Sequence, residues 1–190
     1  MAIPSFDFAR MPVLRFGAGR SAELPRLAAS FGEGALVLTG TASQQSPQWE
    51  RACAGFTEQG VAFEHETISG EPSPECVDAI VAKHHASGIA VVVAWGGGSV
   101  IDAGKAVSAM LPRHEPVQDY LEGVGTKRLE SVMKTPFIAA PTTAGTGSEA
   151  TKNAVISRVG PDGFKKSLRH DALVPDIAVI DPELALSCPP

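Results

Sequence analysis

The segment of this 190-residue sequence best suited to chemistry consists of three glycines and a serine, Gly96, Gly97, Gly98 and Ser99. It directly follows the most apolar stretch, residues 89–95, and directly precedes a predicted helix. A helix start offers unpaired N–H groups and a positive dipole end, and glycine lets an anion approach the backbone closely. Asp102 and Lys105 follow in the first turns of that helix, off its apolar face. The spacing predicts a phosphate-binding turn.

Two standard nucleotide-binding fingerprints do not match this turn. A G-x-G-x-x-G motif would require glycine where Ile101 stands, and a Walker A motif would require glycine at Ser99 and a hydroxyl residue at Ala106. The turn is therefore neither the usual dinucleotide type nor the nucleotide-hydrolase type. A strand-to-helix turn that binds nothing is the alternative interpretation.

A second candidate segment, residues 141–149, follows a predicted strand at 136–140. Its hydroxyl residues are Thr142, Thr143, Thr146 and Ser148, and its glycines are Gly145 and Gly147. Hydroxyls can hydrogen-bond a sugar or an amide, and glycines leave room for it. A hydroxyl-rich turn that caps the next element is the alternative. Two such segments after two apolar strands favour a bipartite nucleotide site.

A third position is the end of the predicted strand at residues 35–39. Nicotinamide-type sites often place an acid there, which accepts hydrogen bonds from the adenosine ribose. Thr39, Gly40 and Thr41 stand at this point instead. Small neutral residues would not repel a 2′-phosphate, so NADP is slightly favoured over NAD.

The remaining composition excludes several classes of function. Sixteen basic and 21 acidic residues give a net charge of −5, which argues against nucleic-acid or anionic-membrane binding. No signal peptide or spanning segment is visible. The histidines and cysteines match no metal-binding spacing, and the cysteines are expected to be reduced thiols in a cytoplasmic protein. These residues are His65, His84, His85, His114, His170, Cys53, Cys76 and Cys188.

Apolar periodicity predicts the elements that position these segments. The predicted strands are residues 13–16, 35–39, 61–68, 89–95, 136–140 and 177–180, with a hairpin at 154–159 and 165–169. Helices are predicted to begin at caps formed by Ser21, Ser46 and Ser73, and after the glycine turn. Alternating strands and helices indicate a doubly wound, mainly parallel, Rossmann-like α/β domain.

On these residues the chain resembles the iron-containing (group III, metal-dependent) alcohol dehydrogenases of the dehydroquinate synthase-like superfamily. The matching stretches are FGAG at 16–19, WGGGSVIDAGKA at 95–106, PTTAGTGSE at 141–149 and PDIAVIDPE at 175–183. The resemblance implies an NAD(P)-dependent oxidoreductase of alcohols and aldehydes, with an N-terminal α/β cofactor domain and a C-terminal helical domain.

The resemblance also implies a set of cofactor-binding residues. Residues 96–99 would hold the pyrophosphate, with Asp102 near the cofactor. Thr142, Thr143 and Thr146 would contact the ribose and nicotinamide side. Thr151, Asn153 and one of Lys165 or Lys166, with Lys166 favoured, would complete the pocket.

Two departures from the family pattern shape the expected function. Gly40 stands where members often carry an acid. The metal ligands of the family, an aspartate and three histidines, follow a Pro-Pro pair, whereas this sequence ends at Pro189-Pro190. Residues 1–190 are therefore expected to be the cofactor-binding half, inactive alone and without ligands for iron or zinc. The helical domain is expected to be missing, in an isolated piece or a shortened gene product.

Three points on function and partners stay open from the sequence. A stand-alone nucleotide-binding module is one alternative, and a superfamily relative acting on glycerol or maleylacetate is another. The expected partners are a nicotinamide dinucleotide and, in a full-length form, a small alcohol or aldehyde. A homodimer is also left open.

Overall fold

The computed structural model describes residues 5, 9–113, 115–129, 133–186 and 188, so His114 and the Pro189-Pro190 pair lie outside the described residues. The strands are β1 Val13–Phe16, β2 Gly34–Gly40, β3 Ala62–Ile68, β4 Val91–Gly96, β5 Phe137–Pro141, β6 Asn153–Arg158, β7 Phe164–Arg169 and β8 Ile177–Ile180. The α-helices are α1 Leu24–Ala29, α2 Pro47–Glu58, α3 Pro74–His84 and α4 Gly98–Met110. Short 3₁₀ helices include Arg20–Glu23, Ser148–Ala150 and Pro182–Ala185. Over the described ranges, no helix combines the length and apolar character needed to cross a membrane.

Within the described residues, six strands form one sheet in the order β1-β8-β5-β4-β2-β3, and all neighbouring strands are parallel. Its central strands are apolar on both faces because helices cover both. Leu36 and Val92 face the cluster that contains α3 and α4, whereas Val37 and Val93 face the cluster that contains α1 and α2. Strands β6 and β7 pair as a separate antiparallel hairpin. The predicted doubly wound, parallel α/β fold and its hairpin are confirmed.

Two of the three predicted serine caps are confirmed. The Ser46 and Ser73 hydroxyls each accept a bond at 3.2 Å, from the N–H groups of Trp49 and Cys76 respectively, and a proline follows each cap. The prediction for Ser21 is wrong, because this residue is buried inside the 3₁₀ helix and makes no side-chain cap bond. Its N–H group donates instead to Asp181 Oδ2 at 2.8 Å, a partner from the far end of the sequence.

Helix α4 lies unusually close to the sheet because of Gly104. A Cβ atom on Gly104 would stand 2.6 Å from Phe137 Cε2 and 2.7 Å from the Ala94 Cβ. Only glycine permits that approach without displacing the neighbouring side chains. The close packing fixes the position of the α4 N-terminus relative to the ends of β4 and β5.

Candidate functional site

The two predicted loop segments meet at the carboxyl edge of the sheet. Gly96 at the end of β4 pairs with Pro141 at the end of β5, and the Thr142 N–H donates to the Gly96 carbonyl at 3.0 Å. Ligands of open parallel sheets bind at this edge. The helix begins at Gly98, so Gly98 and Ser99 lie in its first turn and Gly97 is its N-cap.

The three glycines of the turn differ in what a side chain at each position would contact. A Cβ on Gly96 would stand 2.5 Å from Val100 Cγ2, and one on Gly98 would stand 2.8 Å from Thr146 Cγ2. Both glycines are therefore required by packing within the chain. A Cβ on Gly97 would make only an ordinary contact, 3.5 Å from Thr143 Cγ2, and its φ of −74° suits any residue. Packing leaves the glycine at position 97 unexplained.

A cavity of about 310 Å³ opens beside the first turn of α4, and we call it the α4 cavity. Six of the sequence-predicted residues line it: Gly98, Ser99, Asp102, Thr146, Thr151 and Asn153. Glu71, Ser148 and Lys165 contribute further polar lining. These side chains come from α4, the loop after β3, the segment after β5 and the β6–β7 hairpin, so only the tertiary structure brings them together.

The hairpin brings Lys165, and not the favoured Lys166, to the α4 cavity. Side chains alternate between the faces of a strand, so these two lysines point to opposite sides of β7. Lys165 forms an ion pair with Glu71, which also accepts a bond from the Ser157 hydroxyl at 2.6 Å. Both bonds hold the pKa of Glu71 below its usual range. Lys166 lies beside Gly123 on the other face.

Asp102 joins helix α4 to the two segments that cover it. Its Oδ1 accepts from the Ser148 hydroxyl at 2.5 Å, and its Oδ2 accepts from the Val155 N–H at 3.1 Å. Burial raises the pKa of Asp102, an effect that these two hydrogen bonds only partly oppose. The carboxylate therefore organises the cavity wall as well as lining it.

Lys105 is the central site residue that sequence reasoning missed. It was expected off the apolar face of α4 and received no role, but it is only 1% exposed, because residues 148–153 cover that part of the helix. Its ammonium donates to Ser148 Oγ at 3.2 Å, to Thr151 Oγ1 at 2.9 Å and to the Asn153 carbonyl at 2.9 Å. Burial lowers its pKa to about 8. The spacing of three from Asp102, which puts both on one helix face, was the available signal.

A second cavity of about 490 Å³ lies at the same edge of the sheet. Trp95 and Thr142 line it, together with residues 42, 43 and 45–48 after β2 and Glu183, Leu184 and Leu186 after β8. Along both loop segments the chain passes from the second cavity to the α4 cavity, through Gly97 in one and Thr143 in the other. At the end of β2, a Cβ on Gly40 would stand 3.6 Å from Val100 Cγ2, so a side chain fits there.

Metal-ligating side chains do not converge in the described part of the chain, where no three His, Cys, Asp or Glu residues form a group able to hold an ion. His84 is buried and bonded to Glu66 Oε1 at 2.7 Å. His65 lies 2.8 Å from the Thr39 hydroxyl.

Comparison with known sequences identifies the family. The family model of iron-containing alcohol dehydrogenases matches residues 12–182. The chain belongs to this family. The resemblance seen in the sequence motifs is thereby confirmed.

Individual members of the iron-containing alcohol dehydrogenase family match different shares of the chain. The probable alcohol dehydrogenase EutG of Escherichia coli is 42% identical over 120 residues, which are 63% of this chain and 29% of EutG. The mitochondrial hydroxyacid-oxoacid transhydrogenase of Caenorhabditis briggsae is 31% identical over 182 residues, 93% of this chain and 38% of that protein.

A crystal structure of sulfoacetaldehyde reductase from Bifidobacterium kashiwanohense, in complex with NAD⁺, resembles this fold with a TM-score of 0.87. The two are 31% identical, and the match covers 98% of this chain and 48% of the reductase. The chain thus spans less than half the length of these three family members.

Proposed function

We propose that this chain binds a nicotinamide dinucleotide and is the cofactor-binding half of a metal-dependent alcohol dehydrogenase. The observation that carries the proposal is Gly97, the N-cap of the 13-residue helix α4, which packing within the chain does not require to be glycine. A pyrophosphate approaching this helix start would meet unpaired N–H groups and the positive dipole end, with no Cβ in its path. A bound pyrophosphate would therefore explain why glycine stands at position 97.

The two cavities fit the two halves of the dinucleotide. The pyrophosphate would lie over Gly97, where both loop segments cross from one cavity to the other. The nicotinamide and its ribose would enter the α4 cavity, where Thr146, Thr151, Asn153 and Lys165 offer hydroxyl, amide and ammonium groups. The adenosine would enter the second cavity, where the exposed side chain of Leu186 supplies apolar surface.

The NAD⁺ held by the related reductase, and the family of the chain, support the same cofactor. Bound nicotinamide supplies a hydride acceptor, so the whole protein would transfer hydride between an alcohol or aldehyde substrate and the cofactor. We propose that the metal of such a protein, iron or zinc, is held outside residues 1–190 and that this chain alone is inactive.

NADP is proposed as slightly favoured over NAD. Gly40 leaves the end of β2 without a carboxylate that would repel a 2′-phosphate. Glu183 lines the second cavity, but it is exposed, so solvent and salt screen its charge.

Localisation and assembly are further proposals. Cys53, Cys76 and Cys188 carry free thiols, which suits a reducing compartment such as the cytoplasm. A homodimer would cover edge strand β1, where Val13 and Phe16 are more than half exposed.

Separate titrations of NADH and NADPH into the purified chain test the proposed function. Calorimetry and the change in tryptophan fluorescence are the readouts. The two tryptophans, Trp49 and Trp95, have ring centroids 5.9 Å apart, and Trp95 lines the second cavity. Saturable binding with one dinucleotide per chain is expected. If a folded chain binds neither dinucleotide, the proposal is overturned.

A further inference from the structure

The buried lysine of helix α4 connects the segments that form the α4 cavity. We propose that Lys105 is a positioning residue for the dinucleotide. Its ammonium group holds the cavity wall in the binding arrangement, and loss of one proton from that group weakens binding. This inference rests on the proposed function, because it concerns the affinity of the same site.

The contacts of Lys105 connect helix α4 to residues 148–153, which form the opposite wall of the α4 cavity. Ser148 and Thr151 accept through their hydroxyls, and Asn153 accepts through its backbone carbonyl at the start of β6. The Ser148 hydroxyl in turn donates a hydrogen bond to Asp102, which lines the cavity. The Thr151 hydroxyl donates to the Ser148 carbonyl at 3.3 Å. A single ammonium group thus orients four residues that line the cavity.

The number of protons on Lys105 decides whether this arrangement is complete. An ammonium group has three N–H donors, and the structure supplies three acceptors. A neutral amine has two donors and would leave one of these acceptors, which are buried or partly buried, without its bond to Lys105. An unsatisfied buried polar group is costly, so the wall would rearrange. The intact wall therefore requires the charged form.

The surroundings of Lys105 place its titration in an accessible pH range. Burial lowers its pKa to about 8, while the nearby carboxylates Asp102 of α4 and Glu149 of the Ser148–Ala150 helix act in the opposite direction. Lys165 of β7 acts on Asp102, whose pKa it helps to lower against the larger effect of burial. These are the charged groups that act on Lys105 and its carboxylate partner from the elements packed around them.

The expected effect follows from the fraction of chains in the charged form. Below pH 7 nearly all Lys105 side chains are charged, and at pH 9 only about one tenth are. If only the charged form binds, the dissociation constant for NADH rises about tenfold between pH 7 and pH 9.

The experiment measures NADH binding by calorimetry from about pH 6.5 to pH 9.5 in three proteins. The wild type should show the roughly tenfold loss of affinity. Lys105→Met should bind at least tenfold more weakly at pH 7, with no further change as the pH rises. Lys134→Met is the matched control, since Lys134 is also a buried lysine, 8% exposed and paired with Asp176 near the opposite ends of the strands. It should keep the wild-type affinity and profile.

Three outcomes would overturn the inference while the proposed function stands: a flat wild-type profile, a Lys105→Met protein that retains affinity at pH 7, or a pH dependence that survives in Lys105→Met. A flat wild-type profile overturns the inference even if Lys105→Met does not fold. Absence of NADH binding to the wild type at every pH would overturn the proposed function itself, and this inference with it.

Discussion

At the scale of single residues, the three glycines of the 96–98 turn are glycines for different reasons. Gly96 and Gly98 permit contacts with Val100 and Thr146 that any Cβ would obstruct. Gly97 has no such neighbour, so a side chain there tests ligand binding without repacking the protein. A side chain at Gly96 or Gly98 is therefore expected to affect mainly stability, whereas one at Gly97 is expected to affect mainly ligand affinity.

Gly97→Val is expected to weaken NADH binding tenfold or more, about 1.4 kcal/mol, because the branched side chain occupies the path of the pyrophosphate. The protein should still fold, since the added Cβ makes only an ordinary contact with Thr143, but its unfolding temperature should fall slightly because valine is a poorer N-cap than glycine. Gly98→Ala is the contrasting variant and should lower the unfolding temperature by displacing Thr146. Unchanged affinity in a folded Gly97→Val protein would place the phosphate site elsewhere.

Cofactor choice is predicted from Gly40. NADPH should bind the wild type at least as tightly as NADH, and Gly40→Asp should shift the preference toward NADH, because a carboxylate there repels a 2′-phosphate. The Cβ fits, 3.6 Å from Val100 Cγ2, so folding should be unaffected. Parallel titrations of both cofactors into both proteins provide the measurement. A wild type that prefers NADH tenfold would refute the prediction.

At the scale of elements, Asp181 joins the two ends of the described chain. It is 2% exposed, and it accepts from the N–H groups of Gly19 at 3.1 Å, Ser21 at 2.8 Å and Glu183 at 3.0 Å. Burial acts to raise its pKa, but the Ser21 hydroxyl and these N–H donors together outweigh burial and hold the pKa below its usual value. One carboxylate thus caps the 3₁₀ helices after β1 and after β8.

Asp181→Ala is expected to lower the free energy of unfolding by about 2–3 kcal/mol at pH 7, because three backbone N–H groups lose a charged acceptor. Since folding lowers the pKa of Asp181, its stabilisation is fully present above the unfolded-state pKa of about 4 and is lost as the pH falls through the folded-state pKa. Urea unfolding at pH 7 and at about pH 3 measures this. The difference in the free energy of unfolding between the wild type and Asp181→Ala should be smaller at pH 3 than at pH 7.

Asp171→Ala is the control for Asp181→Ala. Asp171 is 74% exposed and has an ion pair with Lys152, so solvent screens its charge and its removal should change stability much less than the removal of Asp181. Equal effects of the two substitutions would show that the Asp181 hydrogen bonds do not stabilise the contact between the segments after β1 and after β8.

At the scale of the whole molecule, the fold of this chain corresponds to 48% of the related reductase. The family name implies iron, yet the described residues contain no cluster of three metal-ligating side chains. A divalent site of the expected kind needs about four converging ligands.

We therefore predict that the 190-residue chain, incubated with iron or zinc, retains well under one ion per chain and forms no NAD(P)H from simple alcohols above the blank. Without the Lewis acid, nothing lowers the pKa of the alcohol so that its alkoxide can donate hydride. Elemental analysis and absorbance assays provide the two measurements. A stoichiometric metal or genuine turnover would show that residues 1–190 are a sufficient enzyme.

The sequence by itself determined the elements and their order. Continuous apolar runs predicted the buried parallel strands, Ser46 and Ser73 predicted helix starts, and parallel pairing implied that both loop segments leave the sheet at one edge. These features depend on local periodicity and on cap chemistry, which are properties of neighbouring residues. Residue types and positions also predicted the glycine turn and the threonine segment, and the family resemblance added Thr151, Asn153 and the lysine pair.

Only the tertiary structure decided which side chains share the site. The β6–β7 hairpin packs over α4, which buries Lys105 and turns Lys165 rather than Lys166 toward the cavity. Ser21 was predicted to cap a helix, but its N–H group instead donates to Asp181, which lies 160 positions further along the chain. Such outcomes depend on which face of an element another covers, and a contact between distant segments leaves no period in the sequence that could reveal it.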